Sequence, residues 1–275
     1  MNVEPWSTVD SGEVSDRVRA IQYLLRARGH TVAADGHFGP ATQAAVHAFQ
    51  SARGLPSTGK VDPPTWIKLV VVTHVGATGD AVRAVQVLGL RTIPDEENLA
   101  VDGVFGAATK ARVRKFQQTW GLTDDGIAGR EVFSFATAAP FPWPLVKVGQ
   151  TTATNFRVPI VQHLLRHHGS SIVADGAYGP LTGNAVWHWQ QTQRATEIST
   201  TVGQLDWPAL VATVHPGDHG EKVKAVQCAL PGLTVDGVYG PVTKAAVEDL
   251  QQMFGGNAGI VDLQTWRAII GPVFE

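Results

Sequence analysis

Residues 34–42 read ADGHFGPAT, and three closely similar stretches occur later in the chain. The related stretches are VDGVFGAAT at 101–109, ADGAYGPLT at 174–182 and VDGVYGPVT at 235–243. Self-similarity at such intervals is typical of a chain built from tandem copies of one supersecondary unit. We therefore predict four tandem units, with boundaries at 1–72, 73–138, 139–213 and 214–275.

Each copy carries the same polar residues at fixed distances from its Asp-Gly pair. A threonine stands seven residues after the aspartate and a glutamine fifteen residues after it, as Thr42 and Gln50 follow Asp35. Another glutamine precedes the pair within an apolar stretch in every copy, at Gln22, Gln86, Gln162 and Gln227. Because buried polar groups are nearly always paired, we expect this upstream amide to hydrogen-bond to loop backbone, with a ligand contact as the alternative.

Hydrophobic spacing predicts three helices in each unit. In residues 18–29, VRAIQYLLRARG, apolar side chains recur with the spacing of one buried helical face, and the final glycine is a typical helix end. Gly39-Pro40 suits the start of a second helix, and Asp62, followed by two prolines, suits the cap of a third. Three such helices can enclose one small core. We therefore predict an all-α fold of four three-helix units, with short β-like pairing around the Asp-Gly turns.

A longer period indicates that a block of two units was duplicated. Asp175 follows Asp35 by 140 residues, and the other markers of unit three follow those of unit one by the same distance. Residues 136–155, ATAAPFPWPLVKVGQTTATN, lie between the two pairs, and their prolines predict a stiff connector. We expect this hinge to dock through Phe141 and Trp143.

Composition excludes several classes of function. The net charge is −2 and no stretch is rich in Lys or Arg, which argues against a nucleic-acid partner. No apolar run approaches the roughly 20 residues of a membrane span, so we expect no membrane partner. Cys228 is the only cysteine, so no disulfide or thiolate cluster forms within the chain. The first residues, MNVEPWSTVD, lack the basic start and apolar core of a signal peptide.

Neither a metal site nor a nucleophile stands out. His163 and His167 lie four apart on a predicted helix, a spacing that can present two metal ligands. The positions equivalent to His163 hold Tyr23, Val87 and Cys228, however, so we expect no metal and no cofactor. Cys228 lies within a helix and is expected to pack as a small apolar residue. Four units leave only the first residues and the hinge unassigned, so we predict a non-catalytic protein.

Four motifs mark units one and four. In unit one they are the Gln22 helix, the stretch 35–42, the pair Phe49-Gln50 and the stretch 62–66, which ends in Thr-Trp. Together they resemble the peptidoglycan-binding domain that accompanies bacterial cell-wall hydrolases. Unit two departs where Glu131-Val132 replaces Thr-Trp, and unit three departs further because it lacks a glycine after its second helix.

The resemblance implies a small helical module that binds bacterial peptidoglycan, through either its glycan or its stem peptide. It also implies an extracellular or wall-associated location. Tandem copies would make the binding multivalent.

The repeated turn supplies the candidate ligand-binding residues, each with two possible roles. The aspartates can accept a hydrogen bond from backbone two residues on, which is a scaffold role, and the aromatic rings can cover the core. Alternatively, the same groups contact ligand, since amphipathic rings suit a wet sugar or peptide. The candidates are Phe38, Phe105, Tyr178, Tyr239, Asp35 and Asp236.

The alternative function is a protein–protein adaptor or inhibitor. The same fold resembles the prodomain of certain metalloproteases, where it contacts protein. The cysteine-switch segment of those prodomains has no counterpart in this sequence. Exposed apolar or aromatic surface on the hinge would favour this alternative.

Overall fold

The computed structural model describes residues 4–90, 99–138, 142–193, 195 and 197–271. This part of the chain contains twelve α-helices and no β-strand, which confirms the predicted all-α class. The helices fall into four successive sets of three. They are α1 (Asp16–Ala27), α2 (Pro40–Ala52), α3 (Pro63–Leu69), α4 (Asp80–Val87), α5 (Ala107–Trp120), α6 (Arg130–Thr137), α7 (Arg157–His167), α8 (Pro180–Thr192), α9 (Trp207–Leu210), α10 (Glu221–Ala229), α11 (Pro241–Phe254) and α12 (Leu263–Ile270).

Local sequence signals set the helix ends. Gly39 caps α2 in an extended conformation and proline follows at the first helical position, where a missing N–H costs nothing. Asp62 caps α3 because its carboxylate accepts the Thr65 N–H, and Asp262 caps α12 in the same way. Gly29 follows α1 with a φ of 89°, a left-handed conformation that glycine adopts cheaply. These features agree with the sequence prediction.

Short antiparallel contacts tie the loops together, as the sequence predicted. One set joins the segment before each first helix to the Asp-Gly turn, for example Val14 to His37. A second set joins the chain entering each unit to the segment before its third helix, for example Val9 to Val61. Each contact is a single bridge, so the loops are positioned without forming a sheet.

The first helices of neighbouring units pack in pairs, α1 against α4 and α7 against α10. Each pair is also joined by an ion pair at the start of its second member. Arg26 Nε lies 2.9 Å from Asp80 Oδ2, and Arg166 Nε lies 2.9 Å from Glu221 Oε2. An acidic residue at a helix N-terminus also interacts favourably with the helix dipole.

The chain forms two compact bodies. One is built from Glu4–Gln117 and Leu122–Pro142, the other from Gln118–Gly121 and Trp143 onward. In the second body, one hydrophobic cluster runs through both units and includes Leu164 of α7 and Val226 of α10. We predicted one small core per unit, and this cluster corrects that prediction. A unit of about 60 residues buries a modest core by itself, and pairing enlarges it.

In each body, a tryptophan that precedes the first helix covers the tryptophan of a third helix. Trp6 stacks on Trp66 with ring centroids 5.6 Å apart, and Trp143 stacks on Trp207 at 6.2 Å. Trp143 is 3% exposed, so this part of the predicted hinge docks as expected. Phe141, the other residue predicted to dock, lies outside the described residues.

An arginine of the first helix in each body holds the end of that body's last helix. Arg17 Nη1 donates to the Thr137 carbonyl at the end of α6. Arg157 donates to the carbonyls of Ile270 and Gly271 at the end of α12, and its side chain is buried. These bonds satisfy carbonyls that have no partner within their own helix. Among the described helices, none is both long and apolar enough to cross a membrane.

We expect Glu221→Gln to lower the melting temperature near neutral pH. We expect the difference from the unchanged protein to shrink as the pH falls. Burial alone would raise the pKa of Glu221, but bonds from Arg166 and His163 lower it from 4.5 to about 2. A carboxyl with a depressed folded pKa stabilises the fold above its unfolded pKa and loses that contribution as the pH falls through the folded value. Melting temperatures of both proteins, measured from about pH 7 to about pH 2, test this. A difference that stays constant over that range would contradict it.

Candidate functional site

The repeated Asp-Gly turn is organised by the glutamine of the preceding helix. In unit one, Gln22 Nε2 donates to Asp35 Oδ1 at 2.8 Å, to the His37 carbonyl at 3.0 Å and to Thr42 Oγ1 at 3.0 Å. Its Oε1 accepts the Gly36 N–H at 2.8 Å. The bonds to the His37 carbonyl and the Gly36 N–H confirm the expected hydrogen bonding to loop backbone. Together with Asp35 and Thr42, these partners use both the donor nitrogen and the acceptor oxygen of the amide.

The same bonds recur in the other three units. The amides of Gln86, Gln162 and Gln227 each reach the turn aspartate, a turn carbonyl and the threonine of the next helix. In each turn the N–H two residues after the aspartate donates to its Oδ1, which is the predicted local turn. Unit three therefore keeps this geometry although its sequence departs most.

A second glutamine builds a second turn, which sequence reasoning did not identify. Gln50 Nε2 donates to the Lys60 carbonyl and to Thr65 Oγ1, and its Oε1 accepts the Gly59 N–H at 2.9 Å. Gln251 does the same with Ile260, Thr265 and Gly259 in unit four. The signal was available, since a glycine stands eight or nine residues after this glutamine in units one, two and four.

Unit three completes its second turn with a buried acid. Gln190 Nε2 donates to Asp206 Oδ1 at 2.9 Å, at the place where units one and four use a threonine hydroxyl. Burial raises the pKa of Asp206, and the Gly203 N–H and the Gln190 amide bond to it. In unit two, Gln117 donates instead to Asp125, which stands just before the turn glycine where unit one has Thr58.

The four aromatic rings of the first turns lie in the core. Phe38, Phe105, Tyr178 and Tyr239 are all 2% exposed or less. The Tyr178 hydroxyl donates to the Thr200 carbonyl at 3.0 Å and the Tyr239 hydroxyl to the Gly259 carbonyl at 2.8 Å. Burial raises the pKa of Tyr239 to about 12. The two tyrosines therefore link the first turn to the second turn in units three and four.

Asp35 and Asp236 lie at the surface of their turns. Backbone N–H donors, followed by the glutamine amides, lower the pKa of both carboxyls. The carboxylates therefore stay charged beside whatever approaches the turn. A role for these two acids and the four rings in ligand binding stays a prediction.

Exposed valines flank the turn aspartates, and sequence reasoning missed them. Val101 and Val104 are 41% and 51% exposed beside Asp102, while Val235 and Val238 are 41% and 44% exposed beside Asp236. The turn thus presents a charged oxygen between apolar side chains. We call this surface, formed by the aspartate and its flanking valines, the turn rim.

The histidine pair of unit three is not arranged as a metal site. His163 Nδ1 lies 2.7 Å from Glu221 Oε2, so it takes part in the contact between α7 and α10. His167 instead packs against the His168 ring, and burial lowers its pKa. Within the described ranges, no group of three or more His, Cys, Asp or Glu side chains could hold an ion. Cys228 is half-buried against the core, and burial raises its pKa to about 11.

The sequence profile of the peptidoglycan binding domain family matches residues 14–69, 78–135 and 219–269, more than half of the chain. The chain belongs to this family. The matched ranges are units one, two and four, so the Glu131-Val132 departure in unit two does not prevent the match. Residues 136–218, which include unit three, lie outside the matched ranges.

Two curated proteins share parts of this sequence. The zinc D-Ala-D-Ala carboxypeptidase of Streptomyces albus G is 46% identical over 59 residues, which is 22% of this chain and 23% of that protein. An N-acetylmuramoyl-L-alanine amidase of Bacillus licheniformis is 31% identical over 128 residues, 44% of this chain and 35% of that protein. The chain therefore spans only about a quarter to a third of these relatives.

A solved structure is also similar in part. It is a peptidoglycan-binding protein from Clostridioides difficile in complex with glutamine hydroxamate. It is 36% identical, and the match covers 23% of this chain and 40% of that chain with a TM-score of 0.23.

Replacing the second-turn glutamine should destabilise the fold. Gln251→Leu leaves the Gly259 N–H without its acceptor and removes the amide donor to the Ile260 carbonyl, so we expect a loss of about 1–3 kcal/mol in unfolding free energy. Gln252→Leu is the matched control, since Gln252 is the exposed neighbour on the same helix. Urea denaturation of both variants measures the difference, and equal losses would contradict the assigned role.

The glycine of the first turn has a left-handed backbone conformation, so we expect most other residues to destabilise the fold at this position. Gly237 has a φ of 78°, where an L side chain is strained. We expect Gly237→Ala to cost about 1–2 kcal/mol and Gly237→Asn to cost less, because asparagine tolerates this conformation. Both variants add the same Cβ atom, so thermal unfolding of the pair isolates the backbone effect. Equal destabilisation would instead point to crowding against Lys224.

Proposed function

We propose that the protein binds bacterial peptidoglycan without catalysing a reaction, and that several of its four units take part. The observation that carries this proposal is the family match over three units. The shared first-turn hydrogen bonds support counting unit three as a fourth, diverged copy. The boundaries 1–72, 73–138, 139–213 and 214–275 belong to this proposal. A location at the cell wall or outside the cell follows from the same ligand.

The turn rim is the proposed contact surface in units two and four. An exposed carboxylate can accept hydrogen bonds from sugar hydroxyls or amide N–H groups, and the valines on either side offer apolar contact. The geometry of the rim is held by the glutamine amide beneath it, so binding would need little rearrangement.

Linking the units provides the affinity. A weak site becomes an effective binder when linked sites engage one polymer, with gains of roughly 10²–10⁴ where the geometry permits. Peptidoglycan is such a polymer, since it presents the same groups repeatedly.

Sedimentation with purified insoluble cell-wall sacculi tests this proposal on the full chain. We expect the protein to pellet with the sacculi, Val104→Asp or Val238→Asp to reduce the pelleted fraction, and the double variant to reduce it further. Met253→Asp is the control, since Met253 is 68% exposed near the end of α11 and outside the rim. No soluble fragments should be released from labelled sacculi.

Protein that stays in the supernatant would refute wall binding, and released fragments would refute the non-catalytic assignment. Pelleting that both rim substitutions leave unchanged would place the contact elsewhere.

The hinge gives little support to the hypothesis that the protein is an adaptor. Trp143, Leu145 and Val146 are each 5% exposed or less, so these apolar side chains are covered rather than presented to a partner, whereas Val148 is 44% exposed. We therefore retain peptidoglycan as the proposed ligand.

A further inference from the structure

Unit three contains a groove of about 420 Å³ between the end of α7, the loop that follows it and α8. Its size lies within the range of small-molecule sites. We call it the unit-three groove. Its principal lining residues are His168, Ile172, Leu181, Asn184, His188 and Trp189.

Three side chains on the α8 wall of this groove differ from those of unit one. The corresponding positions of unit one, 140 residues earlier, hold alanines at Ala41, Ala44 and Ala48. Unit three has leucine, asparagine and histidine at those positions. The helix therefore carries a wall of larger, partly polar side chains where its counterpart is nearly bare.

The side chain at the base of the groove also differs from its counterpart in unit one. In unit one, Arg28 extends to the carbonyls of Lys68, Leu69 and Val70 at the end of α3. In unit three the equivalent residue is His168, whose Nε2 lies 2.9 Å from the Leu210 carbonyl. The imidazole thus bonds to the end of α9, as the arginine bonds to the end of α3.

Trp189 leaves a hydrogen-bond donor unused. The residue is 7% exposed, and its indole N–H is buried without a partner among the described residues. An unpaired buried donor costs about 1–3 kcal/mol, and such groups are rare in folded proteins. His168 packs against the indole with ring centroids 5.7 Å apart. A carbonyl oxygen brought by a ligand would supply the missing acceptor.

The side chains that line the groove favour some classes of ligand over others. Among the described residues that line the groove, none is Lys, Arg, Asp or Glu. A stem peptide with free carboxylates would find no Lys or Arg partner among these residues. An acetamido group suits the site, because its carbonyl can accept the indole N–H, its methyl can pack on Leu181 or Ile172, and sugar hydroxyls can bond to Asn184 or His188.

We propose that the unit-three groove binds an N-acetylated amino sugar of the peptidoglycan glycan strand. The proposal rests on peptidoglycan being the ligand of the whole chain. It assigns unit three a glycan-binding role although the family profile does not match it. Unit three has in this view diverged toward one component of the wall instead of losing function.

The test titrates the full chain with the β-1,4-linked trimer of N-acetylglucosamine. The corresponding glucose trimer serves as the control that lacks acetamido groups, and a stem pentapeptide as the charged competitor. Indole N–H resonances in a ¹⁵N-labelled sample report on the site, and Trp189→Phe identifies the resonance of Trp189 by its loss. We expect only the acetylated trimer to shift that resonance.

Two variants keep the test independent of misfolding. Trp189→Phe retains a ring, as Phe49 does in unit one, and should weaken calorimetric binding of the trimer by about 5–10-fold. The double variant N184A/H188A restores the alanines of unit one and should also weaken it. Met253→Ala is the control, since Met253 is 68% exposed on α11 and outside the lining.

Each result is decisive for the groove. Loss of trimer affinity in both groove variants, with the control unchanged, supports the proposal. Trimer binding that both variants leave unchanged, a response to the stem peptide alone, or no response to any probe would overturn it. Sacculi that still pellet the chain in the last case would show that wall binding stands while the groove assignment fails.

Discussion

The glutamine amide beneath each Asp-Gly turn is the constraint on which the structure depends. The turn brings a carboxylate, two backbone N–H groups and a carbonyl close to a helix with an apolar face. Without partners, such groups would be costly to bury. The glutamine amide bonds to the carboxylate, the carbonyl and one N–H, while the carboxylate accepts the other N–H. A neighbouring threonine completes the set. The aromatic ring that follows can then lie in the core.

Pairing of the first helices compensates for the small size of each three-helix unit. Six side chains of α1 are buried, distributed around more of the helix than one face. A single three-helix unit has too little material to cover such a helix. Packing α1 against α4, and α7 against α10, covers it and joins two units into one body. Each block of two units inferred from the sequence thus largely coincides with one compact body.

Unit three shows how the scaffold and the surface can diverge separately. In its first turn, Gln162 makes the same bonds to the turn and to the next helix that Gln22 makes in unit one. In its second turn, the buried Asp206 takes the place of a threonine. The side chains along α8 differ most from those of unit one, and they line the groove. Because the turn bonds hold the fold, the helix surface is free to acquire new contacts. A multivalent wall binder whose units recognise different components is consistent with this separation.

The sequence by itself determined the repeats, the helix ends, the local turn at each aspartate and the class of fold. These follow from contacts between residues close in the chain, such as Asp62 with Thr65, or from spacings that recur four times. Only the tertiary structure decided that the turn rings are buried, that units share a core and that α8 borders a groove. Those outcomes depend on which faces of distant helices meet, and hydrophobic spacing within one helix cannot specify its partner. The surface valines and Glu221 escaped prediction for the same reason, since their roles come from neighbours far away in sequence.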